Sequence, residues 1–167
     1  MFARLGQPQP AQGAQAQGAD MVARAVGALA LAALAVIHVV DLPATLGPTP
    51  LVGIGYFGII AAAVLVGGVM IARSHWLAWA TAGAVAVSAM GGYVLTRALP
   101  GGFLGDHGDV GNWRCPLGIA ALSVETLIIL LAAGAVLAAW VARARAASVA
   151  EAPRPAARRV PEYSQPR

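Results

Sequence analysis

Arg97, Asp106, His107, Asp109, Arg114, Cys115 and Glu125 gather in one stretch, from Tyr93 to Glu125, of a chain that elsewhere carries little charge. Glu125 stands out because it sits inside a long apolar run. If that run turns helical at Leu117, a rise of about 1.5 Å per residue sets the carboxyl roughly 12 Å along it, past the headgroups of a bilayer. A carboxylate at such depth costs about 2.5 kcal/mol or more, so it must face protein and there find a partner or hold a proton. Gly118, Ala121, Leu122 and Ala132 share its helical face and are mostly small, which favours the inward orientation. Arg97, a turn from the end of the preceding apolar run, is the expected partner, with Tyr93 one turn below it on the same face. His38 and Asp41, three residues apart, share a face at the same end of another apolar run.

Two chemistries fit this set. Arg97 and Glu125 can form a structural ion pair pinning two helices, where intramembrane polar contacts average about 0.6 kcal/mol. Alternatively Glu125, Arg97, Tyr93, His38 and Asp41 form a proton or ligand site at the outer mouth of a bundle. The sequence leaves both open. His38, His107, Asp106 and Asp109 offer nitrogen and oxygen donors suited to zinc or copper, but none of their spacings is a metal motif. No metal and no cofactor is therefore predicted, and Asp106, Asp109 and His107 otherwise read as solvated loop residues. A haem site lacks its second intramembrane histidine, since His75 falls at the opposite end. Cys115 is the single cysteine, which excludes an internal disulfide, a dithiol oxidoreductase and a cysteine-rich metal cage. No catalytic constellation assembles.

The elements that position these residues follow from composition. With 59% hydrophobic residues, 11% charged and a mean hydropathy of +0.72, the chain departs far from a soluble average. Residues 21–42, 51–72, 76–99 and 117–142 each supply about the 20 apolar residues that cross a bilayer core. Such continuous runs satisfy their backbone in lipid as helices, not barrel strands. The expected fold class is all-α: an integral membrane four-helix bundle over residues 21–143. A disordered Gln/Ala/Gly/Pro leader (1–20) and a disordered Arg/Pro-rich tail (144–167) are expected to flank it. Pro43 is expected to stop the first helix near Leu42. The stripe Ala80, Ala84, Ser88 and Gly92 is expected to pack inward from the third helix.

The net charge of +4 comes from arginine alone. Arg4, Arg24, Arg73, Arg143, Arg145 and the tail arginines fall on one side of the spans, against Arg97 and Arg114 on the other. The positive-inside rule thus predicts a multi-pass protein of the cell membrane with both termini cytoplasmic. Basic residues that flank apolar spans, without a base-reading face, argue against a nucleic-acid partner. The expected partners are the lipid bilayer and either another membrane protein or a second copy of the chain.

The segments GYVLTRALP (92–100), DVGNWRCPLG (109–118) and ALSVE (121–125) resemble a group of small, uncharacterised four-helix integral membrane proteins of actinobacterial type. That group ends its third helix in Tyr-x-Leu-[Ser/Thr]-Arg and opens its fourth with Asn-Trp-x-Glu-Pro-Leu-Gly and a later Ser-x-x-Val-Glu. The resemblance covers the third and fourth spans with their loop, and more weakly the His38–Pro43 end of the first. It implies Tyr93, Arg97, Trp113, Pro116 and Glu125 as shared positions, with Cys115 where that group carries glutamate, and it implies no activity. A looser similarity, in size and span count only, is to the DoxX-like membrane proteins. The reading placed first is a non-enzymatic multi-pass membrane protein. A small ion- or proton-coupled transporter using Glu125 is placed second, and a metal- or quinone-dependent redox protein third.

Overall fold

In lipid a backbone has only itself to bond to, and the apolar runs answer with four helices: α1 (Pro10–Leu46), α2 (Pro50–Ala72), α3 (Trp76–Ala98) and α4 (Pro116–Glu151). They are seen in a computed structural model that describes residues 10–73 and 75–151. All four are long and apolar enough to cross a membrane. The fold is an all-α up-down-up-down bundle. Here α1 packs chiefly on α2 and α3 chiefly on α4, and the two hairpins meet through α1–α4 and α2–α3.

Short turns join α1 to α2 and α2 to α3. Between α1 and α2, the Thr49 backbone N–H and hydroxyl both donate to Thr45 O, at 2.9 and 2.8 Å, and Pro50 opens α2 where a missing N–H costs nothing. Gly53 then lies so close to Leu46 that a Cβ there would come within 2.9 Å of the Leu46 Cα. At the far end of this hairpin the Arg24 Nε donates to Met70 O at 2.7 Å and a terminal nitrogen to Ile71 O at 2.5 Å, capping the last carbonyls of α2. His75 Nδ1 accepts the Leu77 N–H at 3.2 Å and caps α3. His75, which the sequence placed only at the end opposite the polar cluster, is therefore a helix cap.

With no hydrophobic force between helices in lipid, close van der Waals packing must hold them. Gly27 of α1 leaves room for the Trp79 indole and the Met70 methyl, each 2.8 Å from where a Cβ would stand. Leu31, Leu34, Met70, Trp79, Ala82, Ala86, Ile128 and Ala132 are buried around that point and fill the half of the bundle nearer the termini.

Four expectations need correction. The small face that α3 turns inward is Ala78, Ala82, Ala86 and Ala89, whereas Ala84 and Ser88 of the predicted stripe are exposed. Both sets carry four-residue spacings, and Trp79, seated against Gly27, sets which of them faces inward. Pro43 lies inside α1, which continues to Leu46. Pro43 takes an N–H away from Val39 O, a loss that a membrane helix tolerates where neighbouring helices pack beside it, and here α2 packs along α1. Residues 10–20, expected as part of a disordered leader, are helical, as are residues 144–151 of the expected tail. Once a span is formed, adding residues needs no new nucleus, and both segments are alanine-rich. Residues 1–9 and 152–167 lie outside the described residues.

Through these extensions α1 and α4 outrun their shorter partners. Arg24 meets the end of α2, so the turns from Pro10 to Ala23 project beyond it by about 20 Å. The C-terminal turns of α4 project likewise, and Arg143 lies over the Trp76 ring, 4.6 Å from its centroid.

Candidate functional site

At the opposite end of the bundle the packing opens. A cavity of about 240 Å³ runs from beneath the 99–115 loop down to Glu125, and His38, Asp41, Tyr93, Arg97 and Glu125 all line it. The structure thus brings together around one space the five side chains singled out in the sequence.

Arg97 does not meet Glu125. Tyr93 abuts Gly118 and Gly83 abuts Ala132, a register that sets Glu125 opposite Ser88 and leaves Arg97 about 13 Å nearer the loop. Instead Arg97 holds the loop. One terminal nitrogen lies 3.2 Å from Asp109 Oδ2, and Nε donates to Asn112 O at 3.0 Å. The other terminal nitrogen donates to Thr96 Oγ1 at 2.8 Å and to Tyr93 O at 3.4 Å. The guanidinium carbon sits 3.7 Å from the centroid of the Tyr93 ring, a cation–π contact. Gly111, with φ of 76°, bends the loop back so that its N–H reaches Arg97 O at 3.0 Å.

Tyr93 is fixed in turn by its hydroxyl, which donates to Trp113 O at 3.1 Å, and by the Trp113 indole at its edge. Its ring occupies the notch left by Gly118. Gly118→Ala is therefore expected to push the ring aside and cost about 1–3 kcal/mol. Chemical unfolding in micelles, followed by tryptophan fluorescence, checks this; an unchanged midpoint would mean the ring has room.

On the other side of the cavity, Tyr56 donates its hydroxyl to Asp41 Oδ2 at 2.9 Å and meets the His38 ring edge-on, with centroids 4.7 Å apart. His38 is buried, and its Nδ1 lies 2.9 Å from Leu34 O, so that nitrogen is the donor. Tyr56 is not among the residues singled out in the sequence. The missed signal is hairpin symmetry, since residues 41 and 56 lie equally far from the 48–49 turn.

In the loop, Asp106 is buried and its Oδ1 accepts the Asp109 N–H at 3.2 Å, while Asp109 Oδ1 accepts from the Asn112 amide. Burial raises the Asp106 carboxyl above its ordinary range, the Asp109 N–H opposing. A carboxyl that binds its proton more tightly when folded stabilises below its unfolded pKa, and that stability is lost as pH rises through the raised folded value. Asp106→Asn keeps the Oδ1 acceptor. It is expected to unfold at a higher temperature than wild type at neutral pH, by a margin that shrinks as pH falls toward about 4. Thermal unfolding of both proteins across that range decides it, and a constant margin would count against the effect.

Glu125 is 1% exposed, and its Oε2 has no hydrogen-bond partner among the described residues. Ala121 lies one turn above it, lining the same cavity. Among the described residues no three of His, Cys, Asp and Glu come close enough to hold a metal ion, and the candidate set His38, His107, Asp106 and Asp109 forms no such group. His107 is exposed on the loop, whereas His38 is buried in the bundle. Cys115 also lines the cavity as a free, half-buried thiol.

No family model, curated protein or solved structure matches this chain.

Proposed function

We propose that this chain is a multi-pass protein of the cell membrane, with both termini cytoplasmic, that binds a small ligand from the outer side and catalyses no reaction. The observation that carries this reading is the contrast between the two halves of the bundle. One half is solid, closed by Leu31, Leu34, Met70, Trp79 and Ile128. The other holds a cavity in which polar groups from all four helices and the loop converge. Pockets of this kind, mostly apolar with a few placed polar groups, are the usual form of a small-molecule site, and the space between bundled helices is a usual place for one. The arginine distribution supports the orientation. The exposed Leu29, Val36, Ile54, Leu65 and Leu130 suit contact with lipid or with a membrane partner.

Native mass spectrometry of the protein released from its own membrane tests the reading. A retained small molecule is expected in wild type and not in Ala121→Phe, which fills the cavity. Equal masses for the two, with both folded, would remove it. A second reading, ion- or proton-coupled transport, draws on the position of Glu125 between the cavity and the solid half. It requires that packed half to open, and equal flux into vesicles bearing wild type or Glu125→Gln would eliminate it.

A further inference from the structure

We infer that the cavity selects an organic cation: a primary or secondary ammonium on a compact apolar body, with its N–H groups at Glu125. This rests on the binding reading above and adds the chemical class of the ligand. The donors that line the cavity are largely committed. Arg97 commits four of its five N–H donors to Asp109, Asn112, Thr96 and Tyr93, and its charge is already matched by Asp109. Nothing cationic is left to receive an anion. Asp41 holds the Tyr56 hydroxyl, and Asp106 and Asp109 are bonded within the loop.

What remains unmet is an acceptor. Glu125 Oε2, aimed into the bundle beside the cavity and almost wholly out of water, has no donor among the described residues. A buried polar atom without a partner is rare in folded proteins and calls for an explanation. His38 adds a second acceptor: with Nδ1 donating to Leu34 O, its other nitrogen, when the ring is neutral, has only a lone pair to offer. The lining is therefore short of free hydrogen-bond donors beside its unmet acceptors, and its acidic groups outnumber its one arginine. An ammonium supplies up to three N–H donors and the missing charge. Ile37, Leu51, Ile59, Phe103 and Leu117 give its hydrocarbon part an apolar wall.

The test uses the full chain in nanodiscs of phosphatidylcholine, a net-neutral lipid that does not itself concentrate cations. Three probes share one skeleton: 2-phenylethylammonium, 2-phenylethanol and phenylacetate. Saturable binding is expected in the order ammonium, alcohol, carboxylate, with the ammonium about tenfold or more tighter than the alcohol. Glu125→Gln, nearly isosteric and checked for helicity, is expected to erase that preference while leaving the alcohol unchanged. Ala121→Phe is expected to abolish binding of every probe. Equal affinities for ammonium and alcohol, or a preference that survives Glu125→Gln, would overturn the ligand class but leave the binding reading standing. Absence of saturable binding by all three would overturn both.

Discussion

Glu125→Leu is expected to make the protein more stable, by about 1–3 kcal/mol, while erasing the preference for an ammonium probe. A carboxyl 1% exposed, with an oxygen that has no partner among the described residues, carries a desolvation cost. Leucine has a similar volume, and Ile128 and Ala121 already line that face of α4 with apolar surface. A residue that weakens the fold and serves no contact within it is characteristic of a site kept for function at the expense of stability. Equilibrium unfolding in mixed micelles measures the change. A loss of stability would show that Glu125 is a structural group whose partner is made in the folded state, and the site reading would fall with it.

Arg97→Met should act in the opposite sense, costing about 3 kcal/mol or more. The side chain is almost fully buried; it joins α3 to the loop by one ion pair to Asp109 and one hydrogen bond to Asn112 O, and it is braced within α3 by two more hydrogen bonds and the Tyr93 ring. Removing one partner of a buried pair leaves the others unmatched. Asp109 is 36% exposed, so water will rehydrate it and keep the loss toward the lower end of the range. Lysine should not rescue, because it cannot reach Asn112 and Asp109 with a rigid fork. Double-mutant cycles distinguish the two acids: Arg97→Met should couple with Asp109→Asn and be additive with Glu125→Leu. Coupling to Glu125 instead would contradict the register of α3 on α4.

These two residues also show what the sequence could and could not disclose. The four spans were legible because their length and hydropathy are dictated by the bilayer, and the burial of Glu125 followed from its depth in the last of them. Its pairing did not follow. Which arginine meets which acid depends on the axial offset of α3 against α4. That offset is set by the fit of Tyr93 into the Gly118 notch and by the path of a loop turned at Gly102, Gly105 and Gly111. Neither leaves a periodic trace. The inward face of α3 was misread for a related reason. Small residues at four-residue spacing suggest a seam, but Trp79 and Gly27 decide which face meets α1. Pro43 failed as a stop signal because soluble-protein punctuation does not carry over to a helix held by neighbours on its flank. The cavity itself was indicated only as a convergence of polar residues, since empty space is a property of packing.

The unequal helix lengths have a practical outcome. Two arms, one from each end of the chain, stand clear of the shorter pair, and the α4 arm carries exposed Arg143 and Arg145. A protease that cuts after arginine would find those sites on one face of a sealed vesicle and Arg114, exposed in the 99–115 loop, on the other, while Arg97 stays behind its knot of bonds. Brief digestion of right-side-out and inverted vesicles would thus read the sidedness of the protein directly from its fragments, a trimmed α4 arm from one face and a chain split at the loop from the other.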